Sequence, residues 1–221
     1  MQARVKRPGG RVVALAGATG LVGQALLRGL LDDRAVASVH ALGRRRPDQR
    51  HPKLVPHTVD FAALPPLPPL DEVYLALGTT IRSAGSEAAF RAVDFDANLA
   101  VARAARAAGA RRAGLVSAMG ADARSRIFYS RTKGELEAAV AALGFEGLVI
   151  ARPSLLLGDR SRLGQAARPL EELGRVAGRL LGRLVPRQQR PIEAGLVAAA
   201  LLLRVPTSRG RVVLLSGDMQ R

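Results

Sequence analysis

Short apolar runs alternate along the chain with longer segments in which apolar residues recur at helical spacing. Most of the short runs are apolar throughout, which is typical of strands buried on both faces of a parallel sheet. The alternation predicts an α/β fold, a doubly wound parallel sheet of about seven strands with helices on its faces. The predicted strands are Arg11–Ala16, Val36–Leu42, Lys53–Val59, Glu72–Leu77, Arg112–Ser117, Gly147–Ala151 and Arg211–Leu215.

The longer segments predict the helices Leu21–Leu31, Ser86–Ala108, Tyr129–Leu143, Pro169–Leu184 and Pro191–Arg204. Residues 62–70, between the third and fourth strands, contain four prolines and predict an extended connection in place of a helix. The length of 221 residues suits a single domain, 1–221. Within it, 152–210 are predicted to form a small helical C-terminal cap beside the site.

The composition excludes several classes of site. The chain has no cysteine and three histidines, which removes thiolate metal centres and thiol nucleophiles, and we predict no metal. Its net charge of +16 is of the kind found in nucleic-acid-binding proteins. The arginines are dispersed, however, and aromatic residues make up only 3% of the chain, so surfaces for base stacking are scarce. We predict no specific nucleic-acid partner.

No apolar run approaches the ~20 residues that span a bilayer. Basic residues followed by a short apolar run near the start of the chain resemble a signal peptide, but Gly17 and Gly20 interrupt that run. We therefore predict a cytoplasmic protein without a membrane span.

A glycine-rich turn, Gly-Ala-Thr-Gly-Leu-Val-Gly, follows the first predicted strand and opens the first predicted helix. Such a turn lets the backbone approach a pyrophosphate, and the helix that follows presents unpaired amides and a positive dipole end. Three glycines can also form a simple tight turn, but the strand before and the helix after favour a dinucleotide site. The predicted cofactor-binding residues here are Gly17, Thr19, Gly20, Leu21, Val22 and Gly23.

The second predicted strand ends in three arginines where NAD-binding proteins have a carboxylate for the ribose. Guanidinium groups suit a 2′-phosphate, so Arg44 and Arg45 favour NADP(H) over NAD(H). The alternative is a solvated arginine cluster. Further cofactor contacts are predicted from the ends of the third and fourth strands, at Asp60, Phe61, Leu77, Gly78, Thr79 and Thr80.

Tyr129 and Lys133 form a YxxxK pair at the start of a predicted helix, and their spacing places both on one face. A lysine beside a phenol favours the phenolate, which lets tyrosine act as a general acid or base. Ser117, at the end of the fifth strand, could hydrogen-bond a substrate oxygen. A YxxxK can also be an ordinary helix-surface pair. Lys133 is, however, one of only three lysines in a chain that otherwise uses arginine. This choice favours a functional site that requires an amine and not a guanidinium group.

The segments GATGLVG, LGRR, LGTT, VSAMGA, YSRTKGE and RPSLLLGDR occur in this order. Together they resemble the atypical short-chain dehydrogenase/reductases, and within them the group typified by the Tat-interacting-protein oxidoreductase. The resemblance extends from about Val12 to Arg160 and is weaker beyond.

The resemblance implies a Rossmann fold that binds NADP(H), with Ser117, Tyr129 and Lys133 in the catalytic roles. It also implies that Arg44 and Arg45 bind the cofactor phosphate. The stretch beside the nicotinamide would contribute Pro153, Leu155 and Leu156. Ala118 stands where the family often has a second serine.

We therefore predict an NADP(H)-dependent oxidoreductase that transfers hydride to or from a small carbonyl or alcohol substrate. Two alternatives stay open. One is an NADP(H)-sensing protein without turnover, read by a protein partner, for which the amphipathic segment Pro169–Leu184 is a candidate surface. The other is a nucleotide-sugar epimerase or dehydratase, since the same triad supports that chemistry. The sequence leaves a homodimer open as well.

Overall fold

Seven parallel strands form one sheet in the computed structural model, which describes residues 9–157 and 186–220. In chain order the strands are β1 (Arg11–Ala16), β2 (Val36–Gly43), β3 (Leu54–Thr58), β4 (Glu72–Leu75), β5 (Arg112–Val116), β6 (Gly147–Arg152), β7 (Leu156–Leu157), β8 (Ile192–Glu193) and β9 (Gly210–Leu215). The order across the sheet is β3-β2-β1-β4-β5-β6-β9, and β7 pairs with β8 in a separate small sheet. The predicted doubly wound α/β fold is confirmed.

The strand order reverses beside β1. β2 and β3 lie on one side of β1, whereas β4, β5, β6 and β9 extend on the other. In a sheet of this kind the connections after β1 and β4 leave in opposite directions, which opens a crevice at the carboxyl ends of these strands. The backbone topology alone therefore provides a place for a ligand.

Helices cover both faces of the sheet. They are α1 (Leu21–Asp32), α2 (Ile81–Ala84), α3 (Glu87–Arg91), α4 (Asn98–Ala107), α5 (Phe128–Ala141), α6 (Ala194–Arg204) and α7 (Ser216–Met219), with a π-helical turn at Ala92–Ala97 and 3₁₀ turns at Arg187–Gln189 and Val205–Thr207. On one face α1 and α6 bury Leu26, Leu30 and Leu201 against the sheet. On the other face α4 and α5 bury Val101 and Leu136.

Side chains of β1 show why its sequence is apolar throughout. Val13 and Leu15 point into the core under α1 and α6, while Ala14 and Ala16 point into the core under α4 and α5. All four are fully buried. A central strand with two covered faces has no position left for a polar side chain.

Two predicted helices differ from the observed ones. The predicted helix Ser86–Ala108 is divided into α3, the π-helical turn and α4. In the π turn the backbone hydrogen bonds join residues five apart instead of four, which interrupts the regular α-helix. The predicted helix Pro191–Arg204 begins only at Ala194, because the residues before it form β8 and pair with β7. The predicted helix Pro169–Leu184 lies outside the described residues.

The proline-rich connection is extended, as predicted. Residues 64–70 form no helix or strand, and Leu64 and Leu67 pack against the core on the α4 and α5 face. The backbone N–H of Leu70 donates to the carbonyl of Ala108 at 2.9 Å. The connection therefore closes this face of the sheet without a crossover helix.

The described part of the predicted cap does not all lie apart from the sheet. In α6, Val197, Ala198 and Leu201 are buried in the same core as α1. The arrangement of 152–210 as a cap stays a prediction, since much of that range lies outside the described residues.

A buried polar cluster lies at the amino ends of β1 and β4. Arg11 Nη1 is 2.6 Å from Glu72 Oε2, and Arg11 also pairs with Asp33. The Tyr74 hydroxyl donates to the same Glu72 oxygen at 3.2 Å. Burial, together with the neighbouring charge of Glu72, raises the pKa of Tyr74 well above its ordinary range.

Tyr74→Phe should change how the stability depends on alkaline pH. Above about pH 10 the unfolded chain ionises Tyr74 while the folded chain keeps the proton, so the stability falls by up to about 1.4 kcal/mol per pH unit from this group. The variant lacks this contribution. Urea denaturation between pH 8 and pH 11 should give a shallower decline for the variant above about pH 10; parallel declines would contradict the assignment.

Candidate active site

The glycine-rich turn brings β1, β4 and α1 into close contact. Gly17 has φ +88°, and a Cβ atom there would lie 2.4 Å from the carbonyl oxygen of Ala76. A Cβ atom on Gly23, in α1, would lie 1.9 Å from the carbonyl oxygen of Gly17. Both positions therefore require glycine for the helix to begin where it does.

Gly20 differs from the other two glycines. It precedes α1 with φ −82°, an ordinary conformation, and an added Cβ atom would meet nothing nearer than the Gly17 carbonyl oxygen at 3.5 Å. The fold itself does not need a glycine here. Gly20 lines the cleft, so its missing side chain leaves room in front of the helix N-terminus.

A cleft opens at the carboxyl ends of β1, β2 and β4, where the strand order reverses. Its lining residues are Gly17, Ala18, Thr19, Gly20, Ala41, Leu42, Gly43, Arg44, Arg45, Pro47, Phe61, Ala76, Leu77, Gly78, Thr79 and Val93. Residues predicted from four separate segments of the sequence thus meet in one cleft.

Other predicted residues lie outside the lining. Val22 is buried in α1. The Asp60 carboxylate accepts the backbone N–H of Ala62 at 3.0 Å, and Thr80 caps α2 by accepting the N–H of Ser83 at 3.1 Å. Pro153 is buried. Leu21, Gly23, Leu155 and Leu156 are also absent from the lining, and so are the predicted triad residues Ser117, Tyr129 and Lys133.

Arg44 and Arg45 lie at the mouth of the cleft. Both are exposed, and neither forms an ion pair with any residue that the structure describes. Among the described residues, these two guanidinium groups of the cleft lining therefore have no carboxylate partner.

Lys133 is buried and paired with Asp94, which was not among the predicted site residues. Its Nζ lies 2.6 Å from Asp94 Oδ1, and the side chains are 6% and 1% exposed. The other oxygen, Asp94 Oδ2, accepts the backbone N–H of Thr79 at 2.8 Å. Asp94 therefore joins Lys133 to a wall of the cleft.

The π-helical turn carries Asp94, and Asn98 follows it at the start of α4. The Asn98 side-chain amide donates to the carbonyl of Leu77 at 3.1 Å and to that of Asp94 at 3.1 Å. π turns are frequent at functional sites. The sequence contains a signal for both residues. Asp94 and Asn98 are four positions apart and fall on the otherwise apolar face of an alanine-rich helix, where polar side chains are unusual.

Ser117 contacts a second residue that the sequence reasoning missed. Its hydroxyl donates to Glu137 Oε1 at 2.6 Å, and Glu137 also accepts hydrogen bonds from Arg152 at 2.9 and 2.7 Å. Glu137 lies one turn after Lys133 on α5, and this spacing was its only signal. The hydrogen of Ser117 is thus used within the protein, and Ala118 offers no second hydroxyl.

The Glu137 carboxylate is buried but well compensated. Besides Arg152, it pairs with Arg211 Nη2 at 3.3 Å. The hydrogen bond to Glu137 raises the pKa of Arg152, although partial burial acts in the opposite direction. The carboxylate and its arginines hold together α5, β6 and β9.

Tyr129 is half-buried at the start of α5. Its ring packs against that of Phe90, with centroids 5.5 Å apart. Its hydroxyl has no hydrogen-bond partner in the part of the chain that the structure describes, so its phenol can bind a ligand.

No protein-family model matches the chain. Among similar proteins, the protein fmp52, mitochondrial, of Emericella nidulans is 39% identical over 182 residues, which cover 78% of this chain and 76% of that protein. The protein FMP52, mitochondrial, of Eremothecium gossypii is 36% identical over 209 residues, which cover 89% of this chain and 91% of that protein.

Solved structures with the same fold have lower identity. MoeE5 in complex with UDP-glucose and NAD has a TM-score of 0.68 at 20% identity, over 91% of this chain and 74% of that one. The Bordetella bronchiseptica enzyme WbmG in complex with NAD has a TM-score of 0.65 at 16% identity, over 97% and 75%. A short chain dehydrogenase family protein from Francisella tularensis has a TM-score of 0.66 at 11% identity, over 96% and 100%. These structures show the fold.

The comparisons correct the predicted location. The similar proteins are named mitochondrial, so the prediction of a cytoplasmic protein is wrong. Within 9–157 and 186–220, no helix is both long and apolar enough to cross a membrane. The narrower resemblance to the Tat-interacting-protein group stays a prediction.

Gly23→Ala should destabilise the fold more than Gly20→Ala. The first places a methyl group against the Gly17 carbonyl, which should cost about 1–3 kcal/mol. The second meets only an ordinary contact and should change stability by less than about 1 kcal/mol. Urea denaturation of the two variants measures the difference. Equal losses would show that the close contact at Gly23 does not control the turn.

Proposed function

The chain belongs to the Fmp52 family, and we propose that it is an NADP(H)-dependent oxidoreductase of the short-chain dehydrogenase/reductase type acting on a small carbonyl or alcohol. One observation carries the proposal: Asp94 links Lys133 of the YxxxK helix to Thr79 in the wall of the glycine-rich cleft. A cleft of dinucleotide type and an acid–base pair are thereby parts of one site. NAD in the complexes of MoeE5 and WbmG supports the nicotinamide dinucleotide.

The residues of the cleft fit a dinucleotide. Gly20 leaves open the space in front of the α1 N-terminus, where backbone amides and the helix dipole favour a pyrophosphate. Arg44 and Arg45, which have no carboxylate partner among the described residues, would hold a 2′-phosphate. Phe61, also in the lining, offers an apolar ring for the adenine. Arginines in place of an acid directly at the end of β2 support NADP(H) over NAD(H).

When bound, the nicotinamide supplies or accepts the hydride. Tyr129 would exchange the proton with the substrate oxygen, since its hydroxyl has no partner in the described part of the protein. The positive charge of Lys133, one helical turn away, would stabilise the tyrosine oxygen when it loses the proton. The N–H groups of Lys133 that do not face Asp94 would bind the nicotinamide ribose.

Ser117 takes a restricted role in this proposal. Because its hydrogen is donated to Glu137, its oxygen can offer only lone pairs to the site. It would accept a hydrogen bond from a substrate hydroxyl or from the Tyr129 hydroxyl. Ser117 would thus orient the oxygen that exchanges its proton, with Glu137 and Arg152 fixing its own direction.

Nucleotide-sugar chemistry is the alternative favoured by a specific observation, since MoeE5 is in complex with UDP-glucose. An assay panel should therefore contain UDP-sugars as well as small aldehydes, ketones and alcohols. Isomerisation of a UDP-sugar without net change of NADPH would favour the alternative. Consumption of NADPH with a small carbonyl would favour the reductase.

Replacing Arg44 and Arg45 by alanine should weaken NADPH binding and spare NADH. The loss of charge-assisted hydrogen bonds to the 2′-phosphate should cost NADPH about 1.5–3 kcal/mol for each arginine. Titration by nucleotide fluorescence gives both affinities. Arg46→Ala is a matched control, since Arg46 is equally exposed but outside the cleft lining. Equal losses for NADPH and NADH would contradict NADP(H) specificity.

Tyr129→Phe should abolish turnover and leave NADPH affinity nearly unchanged, because the phenol acts on substrate. Lys133→Ala should impair both, because the amine also meets the ribose. Steady-state rates on an active substrate and NADPH titrations separate the two effects. Turnover by Tyr129→Phe at the wild-type rate would refute the role of Tyr129. A wild-type protein that binds NADPH but converts no substrate would point to a cofactor sensor.

A further inference from the structure

Asp94 lies between the two parts of the proposed site. One carboxylate oxygen is 2.6 Å from the Lys133 ammonium, and the other accepts the Thr79 amide at 2.8 Å. The Asp94 side chain is 1% exposed and that of Lys133 6%. Both charges are therefore removed from water, and each is the other's main compensation.

We infer that Asp94 is a positioning residue, which fixes the Lys133 ammonium and the Thr79 backbone in one arrangement. Its effect on turnover rests on the proposed function, whereas its effect on Lys133 itself does not. Asp94 is not a catalytic residue in this inference. One of its oxygens is ion-paired with Lys133 and the other accepts the Thr79 amide, so it acts on the ligand through these two residues.

The other described ionisable groups near Lys133 do not serve as its counter-ion. Glu137, one turn away on α5, is already paired with Arg152 and Arg211. Asp96, on the same π turn as Asp94, is exposed to solvent. Asp94 is thus the carboxylate paired with Lys133 among the described residues.

The geometry also sets which way Lys133 points. The Lys133 ammonium lies 2.6 Å from Asp94 Oδ1, on the side of the π turn. This ion pair holds the ammonium on that side. Without Asp94, the lysine would lose both its buried counter-charge and the contact that fixes its position.

Acetylation by sulfo-N-hydroxysuccinimide acetate tests the inference in the cofactor-free protein. The neutral amine attacks the acyl carbon, an amide bond forms, N-hydroxysulfosuccinimide leaves and the amine proton passes to solvent. Asp94→Asn should increase the acetylation rate of Lys133 by about tenfold, because the amine is released from its ion pair and becomes available to the reagent. Mass spectrometry can follow each of the three lysines separately.

Two controls belong to this experiment. Asp96→Asn removes a neighbouring exposed carboxylate and should leave the Lys133 rate unchanged. Lys53, whose Nζ donates to the carbonyls of Leu31 and Asp33, should react at its wild-type rate in both variants. An unchanged Lys133 rate in Asp94→Asn, or the same change in Asp96→Asn, would overturn the inference. If Lys53 also reacted faster, the substitution would have destabilised the whole fold, and this result would also count against the inference.

A double variant keeps the inference testable if Asp94→Asn folds poorly. In Asp94→Asn with Lys133→Met, no unpaired charge is left buried, so the melting temperature should exceed that of either single variant. Additive losses of melting temperature would contradict the coupling of the two residues.

Kinetics separate this inference from the proposed function. If the protein is a reductase, Asp94→Asn should lower kcat at least tenfold in the wild-type background and have little effect on residual turnover in the Lys133→Met background. If Asp94→Asn lowered kcat by the same factor in both backgrounds, Asp94 would not act through Lys133. If no substrate is converted, the proposed function fails, and the acetylation and melting results still decide the inference.

Discussion

The close contact between Gly17 and Gly23 sets the start of α1 against the end of β1. The carbonyl of one glycine occupies the place where a side chain on the other would lie. This contact directs the N-terminus of α1, with its unpaired amides, into the crevice created by the strand order. The residues after β2 and β4 form the walls of the cleft, and the position at which α1 begins places the helix N-terminus between them.

A second constraint comes from buried charge on α5. Lys133 and Glu137 carry opposite charges one turn apart on the same helix, and both are almost completely buried. Each is compensated from a different element, Lys133 by Asp94 of the π turn and Glu137 by Arg152 of β6. Breaking either pair would leave a charge uncompensated in the interior, at a cost of about 3–5 kcal/mol. These ion pairs fasten α5, which carries Tyr129, to the π turn and to β6.

The sequence predicted the parts of this site that depend on local pattern. The glycine spacing between a strand and a helix located the cleft, and the YxxxK spacing located one face of α5. Asp94 and Glu137 were missed, because their importance comes from partners distant in the chain. Asp60 and Thr80 occupy strand-end positions that resemble ligand contacts, yet their side chains cap local turns. The π turn escaped prediction because a continuous helical pattern does not reveal where an extra residue is accommodated.

A crystal structure of the protein with NADP⁺ would test the central claim most directly, because the claim is that the cleft and the Tyr129/Lys133 pair form one site. We predict the 2′-phosphate between Arg44 and Arg45 and the pyrophosphate at the N-terminus of α1. The nicotinamide should lie close enough to Tyr129 for a substrate oxygen to sit within about 3–3.5 Å of both. A dinucleotide bound elsewhere, or one whose nicotinamide points away from Tyr129 and Lys133, would contradict the account.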